Sequence, residues 1–173
     1  MESREKIRKM IYAAILTALA IIIPVQFGFL KVVYPPFTAT LASHVPMFLA
    51  MLVSPTVAVF VGLGSAFGFL ITTSPEIAAR AAMHMIVGYV GAKMIQKDKN
   101  FTKAAIVTAP IHGILEAIAV IPFGFTYEKV LIAVALGTFI HHLVDATISY
   151  VLVKALSKAR RKDIYEVFSS EVA

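Results

Sequence analysis

From Val32 to Pro75 the chain runs 44 residues without an Asp, Glu, Lys or Arg. Charged residues make up about a quarter of an ordinary soluble domain, so an interval this long points to lipid. A single helix cannot hold it. A membrane crossing takes roughly 20 apolar residues at ~1.5 Å of rise each, and 44 would overshoot the bilayer about twofold. The stretch must therefore turn, and the prolines say where. Tyr34-Pro35-Pro36, Ser54-Pro55 and Thr72-Thr73-Ser74-Pro75 each break it. Proline disfavours helix in the residue before it and suits the first turn of the next helix. Glu76 then falls in a first turn, where a negative charge is favourable.

The same reading along the rest of the chain predicts an all-α membrane protein of six transmembrane helices. They are expected at 9–30, 38–53, 55–72, 76–96, 104–122 and 129–155. Composition agrees: 59% of residues are hydrophobic and 15% charged, with a mean hydropathy of +0.83. A soluble enzyme, a disordered chain and a nucleic-acid-binding module are excluded on these grounds. The absence of cysteine excludes a disulfide scaffold, Cys-ligated zinc and thiol catalysis. Residues 1–156 are expected to form one transmembrane domain and 157–173 a charged cytoplasmic tail.

Lys and Arg near helix ends set orientation. Arg4, Lys6, Arg8 and Lys9, then Lys93, Lys97, Lys99 and Lys103, then Lys154, Lys158, Arg160, Arg161 and Lys162 fall on one side. The other side has Lys31 and Lys129. Both termini are therefore expected in the cytoplasm of a multi-pass plasma-membrane protein, and the net charge of +6 is a topology signal. Arg4–Lys9, an apolar run and Ala18-Leu19-Ala20 also look like a signal peptide. The apolar run continues past that site, which favours a retained first span.

All five histidines fall within the expected spans, as do Arg80, Glu116 and Asp145. Ionisable groups in lipid are costly and mark functional sites by default. Arg80 and His84, His112 and Glu116, and His141 and Asp145 each stand four apart and share a helix face. Counting residues from the span ends puts Arg80 and Glu116 near an outward-facing mouth. His44, His84, His112 and His141 then lie deeper. The alternative is internal pairing: an Arg80–Glu116 salt bridge and a His142–Asp145 packing pair. A guanidinium fork for a carboxylate, and imidazoles able to hydrogen-bond or stack, suit a small, polar, anionic heteroaromatic molecule.

An enzyme reading competes. Glu76-x-x-x-Arg80 and His141-x-x-x-Asp145 loosely resemble intramembrane metal-dependent CAAX-type proteases, but Pro75-Glu76 stands where that pattern has paired glutamates. No metal and no catalytic residue is expected. The chain has no P-loop, serine elbow or Rossmann glycine pattern, so any ATP chemistry must belong to another subunit. A purely structural or chaperone-like membrane subunit is the third possibility.

On the first span, Ala14 and Ala18 form a small-xxx-small pair that allows close helix approach in lipid. With Ala14-x-x-x-Ala18, the segment Thr40–Pro55, the following Val57-Ala-Val-Phe-Val-Gly-Leu-Gly and Arg80-Ala-Ala-Met-His84, the chain resembles the substrate-binding S components of energy-coupling factor (ECF) vitamin transporters. The niacin-type branch is most similar; pantothenate and hydroxymethylpyrimidine types remain alternatives. The resemblance implies a six-helix bundle that captures a vitamin from outside. Substrate contacts are then expected from Arg80, His84, His44, His112, Glu116 and His141. It also implies a lid between the first two helices, here Tyr34, Pro35 and Pro36. Ala14 and Ala18 would dock on a transmembrane coupling subunit joined to two cytoplasmic ATPases. No cofactor is implied for the chain itself, since the partners use the ATP, and no nucleic acid is involved.

Overall fold

The computed structural model describes residues 2–35 and 37–169. Helix α1 (Glu2–Gln26) ends in a short 3-10 turn, Gly28–Leu30, and leads into an antiparallel hairpin. Its strands are β1 (Lys31–Tyr34) and β2 (Phe37–Thr40), with Lys31 opposite Thr40 and Tyr34 opposite Phe37. Helices α2 (Val45–Val53), α3 (Pro55–Thr72), α4 (Pro75–Ala82), α5 (His84–Asp98) and α6 (Phe101–Val120) follow. A π-helical segment, Lys129–Leu136, runs directly into α7 (Gly137–Arg160).

The punctuation acts as its chemistry requires. Ser54 accepts a hydrogen bond from Val57 N at 3.2 Å with Pro55 at the first helical position, which ends α2 and starts α3. Pro75 opens α4 in the same way. Asn100 Oδ1 accepts from Lys103 N at 2.8 Å and caps α6. Lys99 and Arg161 close α5 and α7 in the left-handed conformation.

Several boundaries depart from the sequence expectation: α1 already starts at Glu2, α6 starts at Phe101 and α7 runs on to Arg160, and three further departures change the architecture. The second helix begins at Val45, not at 38, because Phe37–Thr40 pair with Lys31–Tyr34 as a strand. The all-α class thus gains a two-stranded sheet. The first helix stops at Gln26, and the expected 76–96 helix is interrupted at Met83. That interruption lies where α3 comes closest: a Cβ on Gly62 would sit 2.5 Å from Met85 N. Among the described residues, four segments are long and apolar enough to cross a membrane. They are Glu2–Gln26, Pro55–Thr72, Phe101–Phe123 and Lys129–Arg160. Large side chains such as Phe67, Ile71, Ile114 and Val151 face outward, as lipid contact demands.

The core is built from α2, which is buried along nearly its whole length, and from the inner faces of α3, α5, α6 and α7. Residues beyond α7 turn back onto it. Val167 is buried, and the Tyr165 hydroxyl accepts a hydrogen bond from Phe101 N at 3.1 Å. Arg160 donates to Val167 O and, at 3.2 Å, to the Tyr12 hydroxyl. The basic chain ends therefore meet at one end of the bundle, and the hairpin covers the other.

Candidate substrate-binding site

At the hairpin end lies a cavity of about 320 Å³. That volume is at the lower end of small-ligand pockets, roughly 300–1,000 Å³. Its walls come from the ends of α1 and α3, the start of α4 and the hairpin. His44, Arg80, His84, Glu116 and His141 all line it. Five of the six side chains expected to contact substrate, four from α4, α5, α6 and α7 and His44 from the turn that caps α2, thus converge on one void.

Arg80 organises this space. It is buried, with Nε 2.8 Å and Nη2 2.7 Å from the same Glu116 oxygen, Oε2. Nη2 also donates to Thr38 O on β2 at 3.3 Å, and the guanidinium carbon lies 5.4 Å from the centre of the Phe37 ring. Thr138 Oγ1 donates to Glu116 Oε2 at 2.5 Å. The internal Arg80–Glu116 salt bridge weighed from the sequence is therefore present. It borders a void rather than a packed interior, and it ties the hairpin to α4, α6 and α7. Phe37 fits against Gly137, where a Cβ would come 2.9 Å from the ring.

The histidines form a single cluster. The His44 ring centre lies 4.8 Å from those of His84 and His112 and 4.4 Å from that of His141. His112 is fully buried behind Glu116 and does not line the cavity. Its Nδ1 is 2.9 Å from Nδ1 of His142, whose Nε2 lies 3.1 Å from Ala105 O. The His142–Asp145 packing pair weighed from the sequence does not describe this arrangement. Asp145 instead accepts backbone N–H bonds from Ala42 at 2.7 Å and His44 at 2.9 Å. It fixes the entry to α2, where Ala42 is held at a φ of 68°. The carboxylate thereby aims His44 at the cavity.

The expected lid residues behave differently from their strands. Tyr34 and Pro35 sit exposed at the hairpin tip and do not line the cavity; Pro36 lies outside the described residues. Thr38, Ala39 and Thr40 form the inner wall. The sequence reading also passed over Lys31, which adds a second positive charge to the lining, and Ser43 and Thr72. The hairpin did have a signal, in β-branched Val32-Val33 and alternating Thr38-Ala39-Thr40 flanking a Pro-Pro turn. Ala14 and Ala18 are exposed on α1, well away from the cavity lining.

Over 180 aligned residues the chain is 35% identical to the niacin transporter NiaX of Lactococcus lactis subsp. cremoris (strain MG1363). The alignment covers 94% of this chain and 81% of that protein. The chain belongs to the niacin-transporter branch of the ECF S components. No family model matches it, and no solved structure does. This S component is a multi-pass protein of the plasma membrane and a transporter subunit, not an enzyme. The intramembrane-hydrolase alternative is thereby set aside.

Proposed function

We propose that this S component captures nicotinate from outside the cell and delivers it by docking on a coupling subunit driven by two separate ATPases. The observation that carries the reading is a small cavity lined by Arg80, Lys31 and three imidazoles beneath a hairpin. A planar carboxylate pairs with guanidinium and ammonium groups, and a pyridine ring stacks on or hydrogen-bonds to imidazole. A relative whose name states niacin transport points the same way.

In this reading the chain crosses the membrane six times, with the hairpin outside and both termini in the cytoplasm. The meeting of Lys6, Lys9 and Lys93 around one depression at the opposite end supports that orientation. Residues 1–156 carry the substrate site, and 157–173 form the cytoplasmic tail. The exposed Ala14 and Ala18 offer the coupling subunit a close-approach surface. The chain itself uses no ATP, which is spent by the partners.

The test is small-molecule mass spectrometry of the purified protein, followed by calorimetric titration with nicotinate, nicotinamide, pantothenate and hydroxymethylpyrimidine. Saturable one-to-one binding of nicotinate, displaced least by the neutral molecules, is expected. Preference for any of the other three would overturn the assignment of substrate.

A further inference from the structure

Behind the cavity wall, the side chains leave lone pairs facing one another. His142 Nε2 lies 3.1 Å from Ala105 O, so it must carry the proton that this carbonyl accepts. In an uncharged ring His142 Nδ1 is then the acceptor, and His112 Nδ1, 2.9 Å away, donates to it. His112 Nε2 is therefore a bare lone pair, 3.2 Å from Glu116 Oε1. Two acceptors at that distance repel unless something positive lies between them. Arg80 Nε and Nη2 do not supply it, because both contact the other oxygen, Oε2.

The neighbourhood repeats this pattern. Nε2 of His84 and Nε2 of His112 are buried and have no hydrogen-bond partner among the described residues. Buried ring nitrogens in native proteins are almost always satisfied. Each of His44, His84, His112 and Glu116 offers one donor atom to a group lying within 4.8 Å of one another. His84 Nε2 stands 3.7 Å from Glu116 Oε1. A tetrahedral zinc with bonds of about 2.0–2.1 Å holds its ligand atoms roughly 3.3–3.4 Å apart. The separations of 3.2 and 3.7 Å bracket that edge.

We propose that His44, His84, His112 and Glu116 form a binding site for a divalent transition metal of the zinc class. Three imidazoles and a carboxylate are suitable donors for Zn²⁺, Co²⁺ or Ni²⁺ and poor ones for Mg²⁺ or Ca²⁺. The outer contacts are also those of a metal site. His112 is oriented through His142, Glu116 through Arg80 and Thr138, and His44 Nδ1 lies 3.3 Å from Asp145 Oδ2. The second histidine–carboxylate group, His44 with His141 and Asp145, is less suited. Asp145 there already accepts two backbone N–H groups, and His141 Nε2 is 3.1 Å from Thr40 O. Because His44, His84 and Glu116 line the cavity, the ion would add positive charge where Glu116 offsets that of Arg80. The site stands on this geometry whatever vitamin the cavity takes.

The test uses the full chain purified without a polyhistidine tag, stripped with chelator and incubated with Zn²⁺ or Co²⁺. Elemental analysis after desalting should find one ion per chain, and Co²⁺ should give the intense visible bands of a tetrahedral site. Separate His84→Gln and His112→Gln variants should each lose at least tenfold in metal affinity. Should they fail to fold, the wild-type stoichiometry and cobalt spectrum decide alone. Wild-type protein retaining less than a tenth of an ion per chain overturns the proposal and leaves a proton between His112 and Glu116. Undiminished metal in both variants overturns it as well.

Discussion

Replacing Gly62 with alanine tests how tightly the site is tied to the packing of α3 against α5. The added Cβ would lie 2.5 Å from Met85 N, 2.8 Å from His84 C and 2.9 Å from Met85 Cα. Ordinary carbon contacts sit at ~3.5–4.0 Å, so the helices must separate by about 1 Å. Backbone, not a flexible side-chain end, has to give way. Overpacking of this kind costs about 1–3 kcal/mol, while replacing glycine in a helix returns about 1 kcal/mol. With backbone in the way the upper end applies, giving a net loss of about 2 kcal/mol. For a chain of this size that is on the order of 4–8 °C in Tm. The displaced backbone carries His84, so nicotinate affinity should fall together with stability. The chain has no tryptophan and no cysteine, which rules out tryptophan fluorescence and thiol-reactive dyes. Circular dichroism in detergent at a fixed scan rate, with calorimetry for binding, serves instead. Gly88→Ala is the control, since its Cβ would meet Ala58 at 3.1 Å and a shift of a few tenths of an ångström relieves it. A Gly62→Ala protein that melts no lower than the Gly88→Ala protein and binds normally would refute the reasoning.

Three further outcomes are expected. Arg80→Gln should weaken nicotinate binding at least tenfold and nicotinamide binding several-fold less, since losing the tie to Glu116 and Thr38 loosens the cavity for both; a loss for nicotinate no greater than for nicotinamide would mean that Arg80 does not meet the carboxylate. Ala14 and Ala18 replaced together by Arg should abolish uptake in cells while the purified protein still binds substrate; normal uptake would remove α1 from the docking surface. Asp145→Ala strands two backbone donors at the start of α2 and should cost about 2–4 kcal/mol. A melting temperature within a degree of wild type would show that Asp145 does not hold that entry.

Much of the protein was legible in order along the chain. Charge-free runs bounded by Ser54-Pro55 and Ser74-Pro75 located α3 and the start of α4. These signals are local: proline's missing N–H and the cost of charge in lipid act wherever the residue sits. The i,i+4 pairs likewise picked out the polar faces that converge on the cavity. What the chain order could not convey was partnership across distance. Residues 38–40 read as helix, and only pairing with Lys31–Tyr34 makes them strand. Asp145 read as a partner for His141 one turn away, which it is at 3.1 Å, yet the same carboxylate also serves Ala42 and His44, some hundred positions away. For Arg80 and Glu116 the sequence left two readings open, contacts for a guest or a salt bridge with each other. The fold joins them to each other and to the hairpin, because packing α4, α6 and α7 together leaves each charge no better neighbour. The sequence thus determined that ionisable groups are buried in lipid; tertiary packing decided which of them satisfy one another and which ring nitrogens are left facing a gap.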